Sequence, residues 1–123
     1  MTVLGYEDIA ARAAAALRHA QVQAEVRDAD VDRARDAAER ARGRVADMTF
    51  IGAFIARHPG LDGDGLLAAA EAEQREAGDD VARDQAEVAS AVTEADRAAE
   101  RVRDLEGYIR VSRQMAGEES AST

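Results

Sequence analysis

Small apolar residues recur along this chain in two heptad runs that mirror each other about Leu61. The first comprises Tyr6, Ala10, Ala13, Leu17, Ala20, Ala24, Arg27, Val31, Ala34, Ala38, Ala41, Val45, Met48, Gly52 and Ile55. Its steps alternate between four and three residues, the spacing that keeps one seam of an α-helix against a partner helix. The second, with the same steps in the opposite phase, is Leu67, Ala70, Gln74, Ala77, Val81, Asp84, Val88, Ala91, Ala95, Ala98, Val102, Leu105, Ile109, Ser112 and Ala116. The pattern predicts an all-α chain: a long antiparallel two-helix hairpin, a coiled coil with an alanine-rich seam.

Pro59 has no backbone N–H for a helix and biases His58 away from helical angles. The first arm is therefore expected over about 6–58, the turn over 59–65 and the second arm over about 66–116, with a disordered tail at 117–123. Seam partners then have numbers summing to 122, although sums differing by a multiple of seven also bring seam against seam. Gly5 and Gly117 also sum to 122, and Gly43 falls nearly opposite Gly78, which favours that register. Whether Gly43 and Gly78 interrupt the arms is open at this stage. Asp62 or Asp64 is placed to accept from the free N–H groups that begin the second arm.

At 123 residues the chain is one domain's worth. It is 46% hydrophobic but only 3% aromatic, so alanine supplies most of the apolar count and a globular core is excluded. An arm of about 50 residues would run roughly 75–80 Å at the α-helical rise. Alanine buries little area to set against backbone ordering entropy. Further stabilisation is expected from apolar residues off the seam. Near the turn, Phe50, Ile51, Phe54 and Leu66 join Met48, Ile55 and Leu67; at the other end, Ile9, Ala16, Tyr108, Val111 and Met115 form a weaker set, with Val22, Val26 and Val92 between. A helix apolar on more than one stripe is covered by more than one neighbour. The expectation is self-association, most simply a homodimer forming a four-helix bundle, with these residues as the protein contact surface. Two polar seam positions, Arg27 and Asp84, either fix the register or reach out to solvent.

The outer faces carry acid-first pairs four residues apart: Asp8 with Arg12, Asp36 with Arg40, Asp79 with Arg83 and Glu106 with Arg110. Every basic residue is Arg, which together with the Ala, Asp and Gly content suggests a bacterium with GC-rich codons. A net charge of −9, with acids interspersed among the arginines, argues against nucleic acid as a partner. The longest apolar stretch is far too short for a membrane span. No basic residue precedes the apolar positions of Met1–Ala11, so no secretory signal is expected and the default location is the cytoplasm. With no Cys, disulfides, thiol catalysis and thiolate metal sites are excluded.

No catalytic, cofactor-binding or metal-binding set emerges. A di-iron carboxylate bundle needs Glu-x-x-His, but Ala16 and Ile55 stand three before His19 and His58. Hydroxyls such as Ser90, Ser112, Thr49 and Thr93 lack a histidine at helical contact spacing. His58 is expected to close the first arm and His19 to be a solvated edge residue. Asp62, Asp64 and Glu73 match three positions of a calcium loop, but Leu66 and Leu67 occupy its fifth and sixth places, where a ligand and a glycine are needed. A turn and a helix cap account for the same residues.

Phe50-Ile51-Gly52 resembles a variant of the Trp-x-Gly signature of the small helical-hairpin proteins exported by type VII secretion systems. The likeness covers these three residues and the overall architecture of acidic, Cys-free hairpins. Phe stands for Trp, the Gly precedes the end of the arm, and Ser112 follows Tyr108 by four where that family carries an acidic residue. The resemblance implies dimerisation into a four-helix bundle and export without a cleaved signal. Three functions follow as expectations: a non-enzymatic module presenting an apolar tip to itself or another protein, an exported hairpin of that type, or a helical bundle that binds a small molecule.

Overall fold

The computed structural model describes residues 5–121, with side chains through residue 118. The order is helix α1 (Tyr6–Arg57), two 3-10 turns (Pro59–Leu61 and Gly63–Gly65) and helix α2 (Leu66–Ala121). No strand occurs among the described residues, and the fold is all-α. Two compact units divide it: one takes residues 5–29 with 92–121, the other residues 30–91. In each, a stretch of α1 packs against a stretch of α2.

Gly5 begins α1. Its carbonyl accepts from Ile9 N at 3.1 Å, and its own N–H donates to Asp8 Oδ2 at 3.3 Å. An acid at the third helical position thus reaches back to the residue before the helix, half of a capping box. Asp8 is occupied in this way instead of pairing with Arg12. The other end of α1 is set by Pro59. His58 adopts φ −128° and ψ 71°, outside the helical region, while its N–H still donates to Phe54 O and Ile55 O at 3.1 Å.

The turn then closes tightly. Leu61 N donates to His58 O at 2.9 Å and Asp62 N to Pro59 O at 3.1 Å. Asp64 and Gly65 both have positive φ, 62° and 73°. Asp62 caps α2, its Oδ1 accepting from Leu67 N at 2.8 Å. The choice between Asp62 and Asp64 is settled by this geometry, because Asp64 is spent on the left-handed bend.

The seam is where the heptads place it. Thirteen described residues are buried, and all thirteen lie on the two runs: eight alanines, Val31, Ile55, Ile109, Asp84 and Ser112. Tyr6 is the one exposed seam position. Within residues 30–91, side-chain hydrogen bonds link Arg44 to Asp80 and Thr49 to Gln74, pairs whose numbers sum to 124 and 123. A register summing to 122 is thereby selected over its heptad-shifted alternatives at 115 and 129. In the other unit a groove brings Ala10 and Ala14 of α1 together with Arg113 and Ala116 of α2.

The open question of Gly43 and Gly78 is answered, and two expectations differ from the structure. Gly43 and Gly78 sit inside unbroken helices, because a glycine surrounded by good helix formers costs only about 1 kcal/mol and no proline or left-handed residue accompanies it. The tail expected from 117 is helical through Ala121 for the same reason; residues 122 and 123 lie outside the described residues, as do residues 1–4 of the segment read for a secretory signal. None of the four acid-first pairs forms among the described residues. Arg33 pairs with Asp30 and Arg97 with Glu94, each three apart, and Arg83 turns from Asp79 to Asp80 and Asp84. Neighbours three and four apart are both within reach on a helix, and for Arg83 the acid three before it, Asp80, is the one that Arg44 of the opposite arm also holds.

Candidate interaction surface

Within residues 30–91, Phe50, Phe54 and His58 recur every fourth residue, with Ile51 three before Phe54, so they form one stripe. That stripe lies off the seam. Phe50 is 68% exposed, and Phe54, Ile51, Leu61 and Leu66 are exposed as well. The ring of His58 lies 4.5 Å from that of Phe54, tilted by 39°. Met48 and Leu67 are half-buried, and Ile55 is buried in the seam, so these three expected contact residues serve the hairpin itself to differing degrees. Phe50-Ile51-Gly52 is helical and lies within α1.

The unit of residues 5–29 and 92–121 carries a second stripe. Tyr108, Val111 and Met115 follow each other by three and four on α2, and all are exposed; Val22 and Val26 form an exposed pair one turn apart on α1. Ile9 and Val92 are half-buried.

Polar residues beside the seam tie the arms together in the unit containing the turn. Arg44 Nη2 donates to Asp80 Oδ2 at 2.5 Å, and Arg83 reaches Asp80 at 3.2 Å and Asp84 at 3.4 Å. The hydrogen bond from Arg44, reinforced by the nearby charge of Arg83, holds the Asp80 carboxyl below its ordinary range, and Asp80 raises Arg44 in return. Thr49 Oγ1 accepts from Gln74 Nε2 at 3.0 Å and donates to Val45 O at 2.7 Å. Asp84, at 6% exposure, is the most polar buried group; Arg27 is half-buried and has a partner within the protein. Nothing in the sequence signals the Arg44–Asp80 link beyond the register, which brings their positions within a turn of each other.

Among the described residues no group of three or more His, Cys, Asp or Glu side chains is arranged to hold a metal ion, and no helix is long and apolar enough to cross a membrane. The chain matches no known protein family, no curated protein and no solved structure.

Proposed function

We propose that this chain is a non-enzymatic, self-associating interaction module whose exposed apolar stripe around Phe50 and Phe54 docks against a second copy. The carrying observation is an imbalance. Among the described residues only Val31, Ile55 and Ile109 are buried apolar side chains larger than alanine, whereas eleven large apolar residues are exposed. A single copy thus leaves apolar surface at these eleven residues that a partner would cover.

Single apolar residues scattered over a surface need no partner, but a stripe at helical spacing is the form in which one helix presents itself to another.

Sedimentation of Phe50→Ala with Phe54→Ala tests this. The double variant is expected to lose mass relative to the parent while its helical circular dichroism persists. An unchanged mass overturns the tip as the docking surface, and a parent protein that sediments as a 13.1 kDa particle overturns self-association altogether.

A further inference from the structure

A groove between α1 and α2, in the unit of residues 5–29 and 92–121, gathers positive charge that the sequence leaves interspersed. Its walls are His19, Gln23 and Arg27 on α1, one turn apart each, and Glu94, Arg97 and Arg101 on α2; Ala20 and Ala98 also line it. Three guanidiniums and one carboxylate line it, in a chain of net charge −9. Arg101 and His19 have no ion pair or hydrogen bond among the described residues. Arg97 is held only by Glu94, at 3.0 Å on the same helix, a surface pair that an incoming anion displaces easily. Arg27 has a partner of its own and contributes charge from the opposite wall.

We propose that this groove binds a condensed phosphate chain. Guanidinium forks match phosphate oxygens in a bidentate way, and Gln23 and the His19 ring add donors. The donors of α1 span eight residues, about 12 Å along the helix, which a single phosphate does not fill. The lining contains no Phe, Tyr or Trp, and its guanidiniums are matched to the phosphates themselves.

Calorimetric titration of the full chain with sodium tripolyphosphate at low salt tests the proposal. Saturable binding is expected, weakened at least tenfold in the Arg97→Gln, Arg101→Gln double variant and unchanged in Arg12→Gln, which lies outside the groove. Circular dichroism verifies that both variants remain helical. ATP is expected to bind within a few-fold of tripolyphosphate, and orthophosphate at least tenfold more weakly. Absence of saturable binding, equal binding by the double variant, equal affinity for orthophosphate, or ATP binding tenfold tighter than tripolyphosphate would each overturn it. None of these outcomes bears on self-association through Phe50 and Phe54.

Discussion

Arg44 on α1 and Asp80 on α2 are joined by a 2.5 Å hydrogen bond between guanidinium and carboxylate, a polar clasp beside a seam made mostly of methyl groups. Its energetics are coupled to acid. The carboxyl of Asp80 titrates lower in the folded chain than its ordinary value, so the folded state holds fewer protons than the unfolded state through that range. The stabilisation is complete above the ordinary carboxylate range and is lost as pH falls through the lowered value. Thermal melting is expected to show a fall in Tm below about pH 4 that is shallower in Asp80→Asn. At neutral pH, Arg44→Gln and Asp80→Asn should be less destabilising together than the sum of the two alone.

Self-association makes stability depend on concentration. If a second copy binds the folded chain, Tm rises with protein concentration by mass action. Differential scanning calorimetry over a hundredfold range is expected to show this rise in the parent and its loss in Phe50→Ala with Phe54→Ala. A Tm independent of concentration in the parent would mean that one copy folds by itself.

Capping of α2 rests on one carboxylate. Asp62→Ala removes the acceptor for Leu67 N and is expected to cost about 1 kcal/mol, read from denaturant unfolding. Asp62→Asn retains an acceptor and should recover most of that loss.

Glycines divide by backbone geometry. Gly65, at φ +73°, is strained by any side chain, so Gly65→Ala should destabilise by about 1 kcal/mol. Gly78 lies inside α2 with no atom within 4 Å of an added Cβ, so Gly78→Ala should stabilise by about as much. Opposite shifts in unfolding midpoint for the two variants are the expected result; shifts of the same sign would contradict this geometry.

Burial of Asp84 opposes packing. Its contact with Arg83 is long, at 3.4 Å, and Arg83 keeps Asp80 when Asp84 is removed. Asp84→Ala is expected to raise Tm, since an apolar seam residue replaces a weakly partnered carboxylate. A fall in Tm would show that the carboxylate contributes more than its visible partner indicates.

Much of the architecture was legible because a heptad is a one-dimensional property. The positions of Ala38, Ala77 and Ile109 in the repeat suffice to bury them, and Pro59 suffices to end α1 one residue before His58. The glycine placement that favours a sum of 122 also agrees with the register that Thr49 and Gln74 display. What the sequence does not reveal depends on which flanking side chains meet. Arg83 has acids at several helical neighbours, and only the position of Arg44 explains its alignment with Asp80. Likewise His19 and Arg101 are distant in the chain, and their common groove exists only once both helices are in place. Exposure of Phe50 and Phe54 was legible from their places off the seam; the occupant of that stripe is not written in periodicity at all.

Ala38 and Ala77, on facing runs, have no accessible surface. A methyl group fills each site, so drift at these codons has only one direction open to it, toward glycine or serine. Valine there would wedge the helices apart, a change far harder to absorb than the loss of a methyl group. Such positions are ratchets on sequence variation, while the phenylalanines outside them are free to change with whatever they touch.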